Sequence, residues 1–454
     1  MPLPSRPAVI VALAIVALCS CGTGAPSGGE GVTLVIAANS ISGGKNSESA
    51  DWIKRWVIPG FEQTHHNVKV LFRPSGVDDE QYKTKIALDL KAKAGADVID
   101  LDGIWVGEFA QAGYIKPLAE VGGPAVDSWE GWSQIPQAVQ GLGVFDGKKY
   151  GLPQGTDGRV LFYNKTLFKK AGLPDPWQPT SWEDILMAGG RLKTAGVPTP
   201  IQINAGTAMG EATTMQGVLP LLAAAGSEIY TDGKWTGATR AMKDVLGFYQ
   251  RLYASGLSDP KLQQEAKGRD KSFAQFAAGK IGILAESDYF WRSVIEPKAG
   301  VAPMADRDSA VGYAEIPAKN PGGAIRGQDF ASMSGGAIRV LNPFSKNPKL
   351  AWELLAFMHS AAATKAQLAG QARISSRGDV NSEVLTADPM LKYIADKVLP
   401  ITAYRPGLAV YPQVSVALQE ATAAIVSGKT ADEAAAAYQT KLEGLVGGAD
   451  HVTG

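Results

Sequence analysis

Carboxylates, amides and aromatic rings gather just past the ends of apolar segments in this 454-residue chain. Asp102 closes the run Asp-Val-Ile-Asp-Leu-Asp at 97–102, and Trp105 follows three residues on, a carboxylate beside a ring. Asn39 and Ser40 hold the equivalent place after the segment 32–38, and Asn204 follows Ile201-Gln202-Ile203. Glu286, Asp288, Tyr289 and Trp291 form a polar and aromatic cluster after 281–284. Gly335-Gly336, after a short polar segment, would let the backbone approach a bound group closely. Such a set suits binding. Side-chain oxygens and amides match the hydroxyl edges of a small molecule, and ring planes match its C–H faces. Each residue also has a plainer reading. Asp102 can cap a helix starting near Val106 with Trp105 in the core, Asn39 or the glycine pair can serve a turn, and the 286–291 cluster cannot all face one ligand.

Catalysis finds less support. The 44 acids guarantee that some two-carboxylate pair could be assembled, so a glycoside hydrolase stays open as an alternative. No Gly-x-Ser-x-Gly elbow or His-Glu-x-x-His helix occurs in the sequence. Gly428-Lys429-Thr430 resembles the end of a phosphate loop, but Ala423 stands where the first glycine is required. His65 and His66 are adjacent, which suits a surface turn, and only His359 and His451 accompany them. Neither a metal nor a cofactor is expected. Lys plus Arg and Asp plus Glu number 44 each, so the excess positive charge of a nucleic-acid binder is missing.

At the N-terminus Arg6 precedes an apolar run, 9–18, of about ten residues, too short to span a bilayer but right for a signal-peptide core. It leads into Leu18-Cys19-Ser20-Cys21-Gly22, which resembles the bacterial lipobox with Cys21 as the acylated residue. Residues 1–20 would then be a lipoprotein signal peptide. Residues 21–31 would be a flexible tether, and the body would sit outside the cytoplasm, held by lipid to the outer face of the membrane. An ordinary cleaved signal is the alternative. Both cysteines lie in this leader, so the remainder holds no disulfide, thiol nucleophile or Cys-ligated metal.

The elements that must position these residues can be read from periodicity. Strands are expected at 32–38, 67–72, 97–102 and 159–163, and helices at 48–63 and 79–94, with Pro59 kinking or ending the first. A hairpin turns at Asp146-Gly147. Ser181 with Asp184 reads as an imperfect capping box, and Thr430 with Glu433 as a proper one. Strands alternating with helices imply an α/β fold with a mainly parallel sheet, and the length asks for two or more lobes.

Taken together, certain segments resemble family 1 extracellular solute-binding proteins of ATP-binding-cassette importers. They are Phe145-Asp146-Gly147-Lys148-Lys149-Tyr150-Gly151-Leu152-Pro153, Val160-Leu161-Phe162-Tyr163-Asn164-Lys165, Ala171-Gly172-Leu173-Pro174, Phe276-Ala277-Ala278-Gly279-Lys280, Ala351-Trp352-Glu353-Leu354-Leu355, and Arg405-Pro406 with Tyr411-Pro412. The correspondence runs from about residue 32 to the C-terminus. Gln154-Gly155 and the stretch Arg373 to Arg377 depart from the family pattern, near the expected crossings between lobes.

The resemblance implies a two-lobed periplasmic-binding-protein fold of the type II, maltose-binding-protein-like kind. Lobe one would comprise 32–155 and 333–373, and lobe two 156–332 and 374–450. It further implies a carbohydrate ligand, permease subunits as partners, a monomer, and no catalysis. Asp157 then lies at a crossing, a stacking aromatic is expected among Tyr289 and Trp291, and Arg405 matches a basic residue that reaches the cleft in some disaccharide-binding relatives. Arg405, Arg159 and Arg373 keep a glycerophosphodiester or other anionic solute open as a second reading.

Overall fold

A computed structural model describes residues 31–44, 46–77, 79–298, 300–369 and 373–454. The leader, Cys21 and the tether as far as residue 30 lie outside them. Three tripeptides, Val57-Ile58-Pro59, Val218-Leu219-Pro220 and Val398-Leu399-Pro400, recur at the same kind of place. Each ends a five-residue π turn, Ile53–Val57, Thr214–Val218 or Ile394–Val398. Proline has no N–H for the carbonyl four residues back, and its ring crowds that carbonyl. In each case the residue before the proline donates five residues back: Ile58 to Ile53, Leu219 to Thr214, Leu399 to Ile394. The wide turn makes room for the ring. Pro59 therefore neither ends nor breaks its helix, and Ser47–Trp52, the π turn and Ile58–Thr64 follow one another without a gap.

The first sheet runs, edge to edge, Val68–Pro74, Val32–Ala38, Val98–Asp102, Ala337–Leu341, Gly151–Pro153. The second runs Val311–Ala314, Arg159–Asn164, Ile281–Ser287, Thr199–Gln202. Both are mixed rather than mainly parallel. In the first, Ala337–Leu341 opposes both of its neighbours, and in the second Arg159–Asn164 does. These are the strands by which the chain arrives from a different sheet. Gly151–Pro153 leads into Arg159–Asn164, and Phe330–Ser334, paired with Ile316–Pro317 and Thr402–Tyr404, leads into Ala337–Leu341. A strand arriving from the other sheet starts where the parallel strands end, so it must run back against them. The register agrees: Ala337 lies opposite Asp102, and Arg159 opposite Ser287. The C-terminal ends of the parallel strands thus point at the crossings, where open α/β sheets bind ligands.

Helices cover both faces of each sheet, as an α/β fold requires. Tyr82, Ile86 and Leu90, spaced by four on Asp79–Lys91, pack with Val106 and Phe109 on one face of the first sheet. Trp52, Val57, Phe61 and Leu355 pack on the other. Trp182–Thr194, Arg240–Ala254, Tyr411–Val426 and Ala431–Val446 supply the largest core, against the second sheet. Ser181 with Asp184 and Thr430 with Glu433 form full reciprocal capping boxes. Asp146 and Gly147 both take positive φ, 48° and 68°, the two-residue turn that matches strand twist.

Candidate functional site

Two crossing segments, 154–158 and 335–336, lie side by side between the sheets. Gln154 N donates to Ala337 O (2.9 Å) and Gly103 N to Gly336 O (3.0 Å), tying both crossings to the end of Val98–Asp102. Gly336 has φ 151°, and a Cβ there would stand 2.3 Å from Gly155 O, so only glycine lets the two segments touch. A Cβ on Gly335 would lie 3.7 Å from both Arg405 Nη2 and Asp157 Oδ1. Gly335 N donates to Asp157 Oδ1 at 2.7 Å. Asp157, Gly335 and Arg405 therefore meet at one point.

Asp102 faces the same charges. Its side chain accepts from Ile104 N (3.0 Å), capping the turn Gly103–Trp105. Burial pushes its carboxyl up from the ordinary value, against the Ile104 N–H and the Arg405 charge, while Asp157 adds to the rise. Asp157 goes the other way. Burial would raise it, but Arg159, the Gly335 N–H and Arg405 outweigh that and hold it below the ordinary value. Arg159 is itself fixed by Gln216 Oε1 and Met333 O, both at 3.1 Å. Arg405 donates from Nη1 to Glu211 at 2.9 Å, and its buried Nε has no partner. At the end of the neighbouring strand, Asn39 donates to Asp79 (2.9 Å) and Val77 O (3.1 Å), but Asn39 Oδ1 and Ser40 Oγ are buried without hydrogen bonds.

A cavity of about 250 Å³ opens between the sheets beside this point, lined by Gln154 to Asp157, Arg292, Gly335, Gly336 and Arg373 among others. A small recess adjoining Gly335 reaches Tyr404 and Arg405.

The 286–291 cluster divides. Tyr289 is 36% exposed, with the guanidinium carbons of Arg292 and Arg269 at 5.6 and 5.9 Å from its ring centre. Asp288 is buried, accepting from Gly158 N (3.0 Å) and Arg292 Nε (2.9 Å), and so supports the crossing from behind. Burial first, and then the Asp157 charge, raise its carboxyl to about 6. Glu286 is fully buried and gripped by Arg269 through two 2.7 Å bonds, with the Asn204 amide at 3.5 Å. Trp291 is buried, its indole N–H on Asp388 (3.1 Å) and Arg307 stacked on its ring at 4.0 Å. Trp105 packs in the core of the first sheet.

The structure thus brings Asp102, Asp157, Gly335 and Arg405 together. Asn39 and Ser40 end an adjacent strand, Tyr289 is half open, and Trp105, Asn204, Glu286, Asp288 and Trp291 lie in the packed interior. Sequence reasoning missed Arg292 and Glu211. Arg292 stands four residues after Asp288, a helical ion-pair spacing that could have revealed it. Glu211, which also accepts from Tyr411 (2.7 Å), gives no sequence signal.

Two mixed sheets, each completed by a strand from the other's side, with a polar cavity at the crossings, define the two-lobed fold of maltose-binding-protein-like periplasmic binding proteins. The chain belongs to the bacterial extracellular solute-binding protein family, whose sequence model matches residues 45–365. The sugar-binding protein MalE of Xanthomonas citri superimposes with a TM-score of 0.73 at 17% identity, over 92% of this chain and 98% of that one. A solute-binding protein of an ABC transporter from Thermotoga lettingae, bound with α-D-tagatose, gives 0.65 at 24% identity over 91% and 99%. In sequence, the probable ABC transporter-binding protein of Deinococcus radiodurans is 24% identical over 420 residues, 90% of this chain and 92% of that one. Binding-protein relatives from Brucella abortus are 26% identical over 275 residues, and the match spans 61% of their length.

Proposed function

We propose that this protein captures a carbohydrate, from mono- to oligosaccharide, and delivers it to the membrane subunits of an ABC importer without altering it. The ligand would sit between lobe one (32–155 and 333–373) and lobe two (156–332 and 374–450). The protein would act as a monomer held by lipid on Cys21 at the outer face of the bacterial cytoplasmic membrane. One observation carries this reading: Asp157 and Arg405 meet at Gly335 beside the inter-sheet cavity, and Asp102, from a third part of the sequence, feels both charges. Carboxylates and guanidinium there can satisfy hydroxyl edges, Asn39 and Ser40 hold unpaired oxygens nearby, and Tyr289 offers a ring plane. The sugar named in the description of the Thermotoga lettingae relative is in keeping with it. Transport would require the ligand to bind the closed form better than the open one, so that binding shifts the hinge.

Arg292 and Arg373 on the same cavity favour a second reading, a glycerophosphodiester or other anionic solute. Calorimetry against a panel of sugars, with glycerophosphocholine alongside, separates the two. Saturable heat from a sugar supports the first, and binding of glycerophosphocholine alone refutes it. Mass analysis of the mature N-terminus tests the anchor, which an unacylated Cys21 would rule out.

A further inference from the structure

A larger cavity, of about 590 Å³, lies on the second sheet away from the crossings. One wall is the edge strand Val311–Ala314, where Gly312 pairs with Tyr163. Tyr163 is four residues along the strand from Arg159 at the crossing, roughly 13 Å at the strand rise of ~3.3 Å per residue. Tyr313 and Tyr393, both partly open, stand with ring centres 5.1 Å apart and planes at 54°. Trp291 meets Tyr313 edge-on at 6.0 Å.

The charges around these rings do not balance. Arg307 is taken up by Trp291 and by Asp308 (2.8 Å), and Lys165 is the partner of Asp175. Among the described residues Glu315 and Asp388 form no ion pair; Asp388 accepts the Trp291 indole N–H and Leu391 N, and Glu315 faces the Tyr393 hydroxyl. Burial pushes the Glu315 carboxyl up from its ordinary value, against the Tyr393 hydrogen bond and the charge of Lys397.

Two of the donors along this wall are already committed. The Gln178 side chain accepts from Glu315 N (2.9 Å) and donates to Glu315 O (3.2 Å), closing the sheet edge, and the indole N–H is on Asp388. Partly open tyrosine rings beside two carboxylates outside any ion pair suit a cation that carries apolar substituents. We propose that this cavity is a second ligand site, which takes an organic ammonium group against Tyr313 and Tyr393 with Glu315 and Asp388 as counter-charges.

Choline is the probe, with its neutral isostere 3,3-dimethylbutan-1-ol as the comparison, each titrated into the mature protein by calorimetry and ligand-observed NMR. Choline should saturate, and the isostere should bind roughly fivefold more weakly or less. Glu315→Gln and Tyr313→Ala, at unchanged melting temperature, should each weaken choline by a similar factor, while Asp102→Ala leaves it unchanged. Equal binding of the isostere, or no saturable choline signal, overturns the proposal. So does a choline signal lost in Asp102→Ala and kept in Glu315→Gln, which would place the cation in the inter-sheet cavity instead.

Discussion

Replacing Asp157 by Asn tests how the two carboxylates at the crossing act on each other. Asp288 stands at about 6 against an ordinary 3.8, through burial and then through the Asp157 charge. Between pH ~4 and ~6 the folded protein keeps a proton on Asp288 that the unfolded chain has released. Folding then takes up a proton, so stability falls as pH rises through that window and is level on either side. At about 1.4 kcal/mol per unit, a shift of about two units corresponds to roughly 3 kcal/mol. Asp157, held below its ordinary value, stays ionised throughout. Asn at 157 removes the charge, while its Oδ1 can still accept the Gly335 N–H. Asp288 should move down, and the loss of stability between pH 4.5 and 7.5 should shrink. Urea unfolding of wild type, Asp157→Asn, Asp288→Asn and the double variant at both pH values isolates the effect, because all other titrations cancel in the differences. Asp288→Asn should abolish this component. An Asp157→Asn protein with the wild-type pH difference would refute the coupling. At pH 7.5 the same variant leaves Arg159 without a carboxylate and should lose about 2–3 kcal/mol. That is less than for a fully buried pair, because the Asp157 side chain is 26% exposed.

Three further outcomes follow from the geometry. Asp102→Ala should weaken ligand binding by about 1–3 kcal/mol by calorimetry, the cost of removing a buried hydrogen-bonding partner, and unchanged affinity would remove Asp102 from the site. Gly336→Ala puts a Cβ 2.3 Å from Gly155 O and should cost roughly 2–4 kcal/mol in urea unfolding; a neutral result would mean that the crossings are not in contact. Ser181→Ala removes one half of the capping box on Trp182–Thr194 and should cost about 1 kcal/mol by thermal melting, with ligand affinity unchanged.

Much of the fold was legible because local chemistry decides it. The Asp146-Gly147 turn, the capping boxes at Ser181 and Thr430, and the spacing of Tyr82, Ile86 and Leu90 are all settled within a few residues of chain. Pro59 does not end its helix because the π turn absorbs it, and the repeated Val-(Ile or Leu)-Pro pattern shows itself only when three copies are laid side by side. Strand direction was misread for a different reason. Periodicity reports which faces are buried, not which way a strand runs, and only the route between the sheets reverses Arg159–Asn164 and Ala337–Leu341. Among the site residues, strand ends were a good guide to position and a poor one to orientation. Asp102 is the last residue of its strand and Tyr289 follows its own, and both stay partly open, whereas Glu286 lies within its strand, which runs on to Ser287, and turns to Arg269. Arg405 and Asp157 meet across 248 residues of sequence, a distance that no local pattern reports.

The reversed strand Ala337–Leu341 occupies the interior of its sheet, between Val98–Asp102 and Gly151–Pro153. Gly151–Pro153 has no other neighbour there, so roughly the first third of the chain holds a strand whose partner is synthesised almost 200 residues later. Neither half of the molecule can finish its backbone ladder alone as the chain emerges. Contacts of such long range delay folding. The first sheet therefore cannot be completed until about three-quarters of the polypeptide has been made.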